Sequence, residues 1–361
     1  MIASSSLTCR DYRDLFLRRR DEIWTGPGEI PSPAMVTWIL CLERAESLLP
    51  VPAVRLVLVF LALLDGHGVP GAVFGTRALT GYLAADQGQI WDVLLALERA
   101  GLIGLNRDVT PPTVLMSSAL QEAIKLAPAD FTEPAARAAA SALLEAWPVE
   151  ELSPWAAASL RSNAASLQDS AMDALWVDGC HPLLRRVGLS LDEARLAGPA
   201  VEFWQDLAAR CDAKLPPGHP DALAVADHLA AAYLADGRLK DAIAQYKRVL
   251  ADREKVLGRD HLDTIATADN LAAVYRTAGR MPAAIQLAER SRADSERVLG
   301  NDHADTLARM VNLAHAYYAV GRLGDAVLLL HETAIRCDRV LASDDPLTET
   351  VRQSLANIGE A

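Results

Sequence analysis

One pattern recurs in this chain at a constant spacing of 42 residues. LPPGHPDAL starts at Leu215, LGRDHLDTI at Leu257, LGNDHADTL at Leu299 and a degraded LASDDPLTE at Leu341. The landmarks inside each unit keep the same register: Leu229, Leu271 and Leu313; Tyr233, Tyr275 and Tyr317; the pairs Gly237-Arg238, Gly279-Arg280 and Gly321-Arg322; and Ala242, Ala284 and Ala326. Such a repeat constrains a fold more than local propensity does, because a unit unable to bury its own apolar face must stack on its neighbours.

Each unit reads as a helical hairpin. Across residues 263–277, Ile265, Ala266, Leu271, Ala272, Val274 and Tyr275 fall at helical spacing, and Gly279 stands where a helix needs a residue tolerant of positive φ. A second apolar-periodic run covers 281–298. Ala272 and Ala284 are small where two helices approach, and Tyr275 is large where the next hairpin must be covered. This pattern over residues 215–341 resembles the tetratricopeptide repeat in its 42-residue kinesin-light-chain form. A worn copy is expected one period earlier, from Asp173: Val187-Gly188 is in register with Leu229-Ala230, Ala200 with Ala242 and Trp204 with Tyr246, while Arg195 replaces the turn glycine and Leu191 the tyrosine. Residues 346–358 read as a capping helix over the stacking face that a terminal unit exposes. The fold class expected is all-α, a tetratricopeptide-repeat solenoid at 173–361.

Composition agrees with helices: the chain is 51% hydrophobic but only 5% aromatic, and strands want β-branched and aromatic residues. A formal charge of −12 argues against nucleic acid as a partner, since phosphates demand a basic face. Five scattered cysteines suggest neither a disulfide framework nor a metal site, so a reducing cytoplasm is expected. The most apolar stretch, 51–64, is 14 residues long and contains Arg55, short of the roughly 20 that span a bilayer. The first residues carry arginines without a signal-peptide apolar run, and no membrane partner is expected.

Ahead of the repeats, residues 6–20 read as an arginine-rich amphipathic helix with Tyr12, Leu15, Phe16 and Leu17 on its apolar side. A loop at 25–33 separates it from a helix at 34–49 that turns Val36, Ile39, Leu40 and Leu42 inward, completing an N-terminal segment at 1–50. Three helices then follow at 54–64, 77–85 and 89–100, and two extended pieces at 102–106 and 113–117 bracket Pro111-Pro112. That order is a winged helix, placed at 51–127 and joined to the repeats by alanine-rich helices at 128–172. Its presumed recognition helix carries Arg99 against Asp92 and Glu98, with no phosphate-binding row.

The run AMVTWILCLERAESLLPVPAVRLVLVFLALLDGHGVP also resembles the region after the nucleotide-binding domain in bacterial STAND ATPases of the NB-ARC type, whose winged helix leads into tetratricopeptide repeats. That family ends its winged helix in a methionine–histidine motif whose histidine reaches the nucleotide. Here the frame is Met116-Ser117-Ser118-Ala119-Leu120-Gln121, with Ser117 in the histidine's place. No G-x-x-x-x-G-K-[ST] occurs in these residues, so no nucleotide and no other cofactor is expected.

Two constellations invite chemistry. His219, His261 and His303 each precede Asp221, Asp263 or Asp305 by two residues, yet equivalent positions of stacked hairpins stand about 10 Å apart per helix layer and cannot share a metal. Each Asp is instead expected to cap its helix. Cys180 and His181 are adjacent, but neighbours in sequence rarely face one another and nothing supplies an oxyanion hole. No catalytic residue is expected.

The resemblance implies that the first helix of each hairpin lines a concave groove and that the residues just before Leu-Ala grip a peptide backbone. Carried over, these are Asp227 and His228, Asp269 and Asn270, and Val311 and Asn312, joined one turn later by Arg276, His315 and Tyr318. An asparagine can satisfy both an N–H and a C=O of an extended chain. With Asp227 and Asp269 present and no lysine, a protein or peptide partner with a neutral or basic segment is expected, bound by a non-catalytic scaffold descended from a STAND-type regulator. The rival is an enzyme or small-molecule-binding protein of secondary metabolism that uses a cavity between the winged-helix domain and the solenoid.

Overall fold

The computed structural model describes residues 9–23, 36, 40, 43, 53–110, 112–125, 132–148, 153–342 and 344–359. The expected loop at 25–33 and Pro111 lie outside them, as does the helix at 34–49 apart from positions 36, 40 and 43. The chain divides into two compact units, residues 1–194 and 195–361.

In the first unit, α1 is Cys9–Ile23, followed by α2 (Ala53–Ala62), α3 (Arg77–Leu83) and α4 (Gln87–Arg99). Strands β1 (Gly104–Asn106) and β2 (Thr113–Leu115) pair antiparallel, with Leu105 opposite Val114. Phe60, Phe74 and Trp91 pack in sequence, their ring centroids 6.3 and 6.1 Å apart, and tie α2 and α4 to the short 3-10 turn Gly71–Gly75. Asp86 starts α4 with a full capping box: its carboxylate accepts from Gln89 N–H while the Gln89 side chain accepts from the Asp86 N–H. After the hairpin, Ser117 accepts from the backbone N–H of Leu120 at the start of α5 (Ser118–Lys125), and Gln121 donates to the free carbonyl of Leu64 at 2.7 Å. The unit continues with α6 (Thr132–Ala146), α7 (Pro154–Ala171) and α8 (Pro182–Glu193), and α8 packs on α6 and α7. Asn163 is fully buried on α7, and its amide is satisfied by Asp65 N–H and by the carbonyls of Gly68 and Ser159.

The second unit is helical throughout its described residues: α9 (Ala197–Lys214), α10 (Pro220–Ala235), α11 (Leu239–Val256), α12 (Leu262–Thr277), α13 (Met281–Leu299), α14 (Ala304–Ala319), α15 (Leu323–Val340) and α16 (Pro346–Gly359). Each helix packs on the next in order, the contact pattern of stacked hairpins. Every first-to-second-helix turn closes the same way. Arg238, Arg280 and Arg322 donate their backbone N–H to Tyr233, Tyr275 and Tyr317, and the preceding glycines donate to Leu234, Arg276 and Tyr318. That double bond requires a left-handed residue, met by Gly237, Gly279 and Gly321 at φ 71–79°; Arg195, one period earlier, takes φ 55° without being glycine.

The helix starts correct one expectation. The histidine, not the aspartate, is the cap: Nδ1 of His219, His261 and His303 accepts the backbone N–H of Asp221, Asp263 and Asp305 at 3.1–3.2 Å. His181 does the same for Leu183, and Asp345 replaces the imidazole with a carboxylate that accepts from Leu347 at 2.9 Å. An N-cap residue needs an acceptor one short reach from the N2 amide, and an imidazole with a lone pair on Nδ1 supplies it as a carboxylate does.

Candidate functional site

The expected groove residues sit on α10, α12 and α14, and the structure divides them into two sets. In the first set, side chains are engaged inside the protein. Asp227 accepts from Arg253 Nη1 at 3.0 Å and from the Thr267 hydroxyl at 2.8 Å. Asp269 pairs with Arg309 Nε at 2.6 Å and accepts from the Ser291 hydroxyl. Burial pushes the Asp269 carboxyl above the ordinary carboxylate range, and the bonds from Ser291 and Arg309 pull it back only in part. His228 lies flat on Trp204 at 4.8 Å between centroids. His315 Nε2 is 2.9 Å from Ser354 Oγ on α16, and the Ser354 hydroxyl donates to Thr350, so the imidazole is the donor to Ser354. Burial, with the charge of Arg276 added, lowers the His315 pKa and keeps the ring neutral.

The second set faces solvent. Asn270, Arg276, Asn312 and Tyr318 are exposed, and among the described residues the Asn270 amide makes only a long 3.5 Å contact to Asp227. Asn270 and Asn312 occupy equivalent positions one period apart on successive first helices. Their amides therefore recur as the array advances, which is the spacing a repetitive backbone ladder needs.

Three of the expected residues meet around one recess. Asp269, Ala272 and Arg276 from α12, Ala284 and Ala288 from α13, and Arg309, Asn312 and Ala316 from α14 surround an open cavity of about 60 Å³. At roughly 10–15 Å³ per water, it holds about four to six waters or one small side chain. Sequence reasoning missed the partners Arg253, Thr267, Ser291 and Arg309 and, of the alanine floor, Ala288 and Ala316. The signal was the 42-residue register read down the non-consensus columns, where Arg253 and Thr267 stand opposite Ser295 and Arg309.

The constellations tested for chemistry resolve into structure. His181 Nδ1 accepts from Leu183, so its Nε2 carries the proton and donates toward Ser141 Oγ at 3.3 Å. In that tautomer it cannot take a proton from Ser141, and the Cys180 thiol points at the His181 carbonyl rather than the ring. Among the described residues, no three His, Cys, Asp or Glu side chains are grouped closely enough to hold a metal ion. No helix of the described residues is long and apolar enough to cross a membrane.

Against known proteins, the tetratricopeptide-repeat family pattern matches residues 221–295 and again 265–339. No curated protein matches the chain. Among solved structures, the nearly identical TPR-like repeats of a Podosopora anserina kinesin light chain protein are 28% identical, at TM-score 0.46, over 49% of this chain and 84% of that one. BtubC (BKLC) from P. vanneervenii is 15% identical at TM-score 0.48, over 57% of this chain and 81% of that one. A STAND protein with a tetratricopeptide repeat sensor from Pyrococcus horikoshii is 12% identical at TM-score 0.41, over 98% of this chain and 57% of that one.

Proposed function

Given that residues 221–339 are tetratricopeptide repeats, we propose that this chain is a non-catalytic scaffold that grips an extended protein segment along the first helices of those repeats. The observation that carries this reading is the pair Asn270 and Asn312, exposed at equivalent positions while their neighbouring carboxylates are taken up inside. An amide offers one donor face and one acceptor face, which suits both polar groups of a passing peptide unit. Because Arg253 and Arg309 neutralise Asp227 and Asp269, the partner segment is neutral rather than basic.

The first unit is assigned a supporting part. The order of three helices and a hairpin favours reading residues 51–127 as a winged-helix-like domain of the kind that precedes repeats in NB-ARC regulators. Helix α4 exposes Gln87, Gln89, Asp92 and Arg99, and Arg107 is spent on Glu98, a surface unsuited to phosphates. Ser117 serves as a helix cap, so a nucleotide finds no imidazole there.

The test is capture. The immobilised full chain retains a set of proteins from native lysate, identified by mass spectrometry, and the Asn270→Ala/Asn312→Ala variant loses most of that set with its melting temperature within a degree or two of the parent. Undiminished capture by that variant, with loss instead on Asp92→Ala/Arg99→Ala in α4, moves the site out of the repeats.

A further inference from the structure

A column of the repeat is broken at one position. Trp204, Tyr246, Ala288 and Leu330 are spaced by 42 residues on the second helices, and the three large members are 0%, 2% and 0% exposed. Tyr246 packs with Ala230, Ala242 and Val274, whose counterparts one repeat on are Ala272, Ala284 and Ala316. The boundary between the second and third repeats therefore loses bulk twice at one place, tyrosine to alanine at 288 and valine to alanine at 316. The cavity of about 60 Å³ lies there, floored by those alanines and open at Arg276 and Asn312. Packed interiors leave few such voids, because lining atoms with nothing opposite them lose their dispersion contacts.

We propose that this recess is a socket for one aliphatic side chain, of valine to leucine size, carried by the bound segment; the proposal rests on the groove reading above. The walls decide the class of side chain. Ala272, Ala284, Ala288 and Ala316 present methyl groups, and Asp269 and Arg309 on the flank are already paired with one another. A carboxylate or ammonium pushed into the floor would be desolvated without a partner, and an indole exceeds the space. An aliphatic side chain instead replaces what Tyr246 and Leu330 supply internally in the adjoining repeats. Asn312 at the mouth then stands beside the backbone that carries it. The array lends a core position to its ligand, so the second repeat reads one side chain while its neighbours read backbone.

The probe is a set of capped pentapeptides, acetyl-Ser-Ala-Xaa-Ala-Ser-amide with Xaa Leu, Val, Ala, Trp, Glu or Lys. These are titrated into the full chain carrying ¹³C-labelled alanine methyls and ¹⁵N-labelled asparagine. The leucine and valine peptides shift the methyls of Ala272, Ala284, Ala288 and Ala316 saturably, and bind about tenfold or more tighter than the alanine peptide, as burial of a branched side chain dictates. Ala288→Leu and Ala288→Tyr, which restore the bulk of the third and first repeats, abolish that preference. Both variants keep or raise the melting temperature, which shows that they fold. Equal binding of the leucine and alanine peptides, or an unchanged leucine preference in both filled variants, overturns the socket. Shifts at Asn270 and Asn312 with silent socket methyls reject the socket and leave the groove standing; silence at both sets rejects the two together.

Discussion

The boundaries between repeats differ in chemistry while sharing one geometry. Three positions, each advancing by 42 residues, meet at each boundary: Asp227, Arg253 and Thr267 at the first, Asp269, Ser295 and Arg309 at the second, and Val311, Cys337 and Val351 at the third. At the first, Arg253 is 8% exposed and bonds Asp227, the Asp263 carbonyl and Thr267. At the second, the arginine comes from the other side: Arg309 on α14 pairs with Asp269, and its guanidinium reaches Ser295 Oγ at 3.4 Å. The third boundary has no charge at these positions, and Val311, Cys337 and Val351 are all buried. The comparison teaches that an aspartate in this column demands one guanidinium, and that either helix opposite can supply it. It also gives a reason for the charges. An array of near-identical hairpins can stack in the wrong order, and a partly buried aspartate that meets its arginine in one stacking only makes wrong orders costly.

The sharpest way to break this comparison is to remove one carboxylate. Asp227→Ala leaves Arg253 buried and unpaired and is expected to cost about 3–5 kcal/mol in urea denaturation, against about 2 kcal/mol for Val311→Ala at the apolar boundary. Equal losses at the two sites would mean that the charges are incidental. A gentler test moves the arginine. Arg253→Ser alone destabilises, and adding Thr267→Arg rebuilds the second boundary's arrangement at the first, with a coupling of roughly 1–3 kcal/mol in the double-mutant cycle. Simple additivity would refute the shared-site idea. The smallest effect is pH-dependent. Burial alone would raise the Asp294 carboxyl on α13, but hydrogen bonds from Arg259 and Arg297 outweigh it and hold the group below its ordinary value. Below that ordinary value the unfolded chain binds more protons at this site than the folded one, so stability present near neutral pH is lost as pH falls toward the lowered folded value. Asp269 has the opposite sign: its raised carboxyl removes stability as pH rises through the ordinary carboxylate range. Asp294→Asn should therefore flatten the acid-side loss in urea denaturation followed from pH 7 downward, while the third repeat, with Arg336 in that column, has no carboxylate there to lose.

Much of the fold was legible because a repeat states its own register. The hairpins, the glycine turns and the capping helix followed from period and spacing, and the strand pair fell inside the two extended pieces expected around Pro111-Pro112. The candidate site was legible only in part. Asn270, Asn312, Arg276 and Tyr318 are exposed as a binding surface requires, whereas Asp227, Asp269, His228 and His315 are drawn into contacts with Arg253, Arg309, Trp204 and Ser354. Those partners lie 24–40 residues away in sequence, beyond the reach of a local pattern. The capping histidines show the same limit at short range: His and Asp both stood at the helix start, and only the position of Nδ1 relative to the N2 amide told which one accepts.

By itself the amino-acid sequence determined the period, the helical hairpins and the order in which they stack, since alternating small and large residues at fixed intervals permit little else. Tertiary structure decided which side chains remain free. Whether a carboxylate faces a ligand or an arginine depends on what the neighbouring repeat places opposite it, and whether Ala288 meets bulk or a recess depends on Ala316 of the third repeat being alanine where the second repeat has Val274. Both are properties of two helices brought together across a repeat boundary, and packing is the only place where they exist.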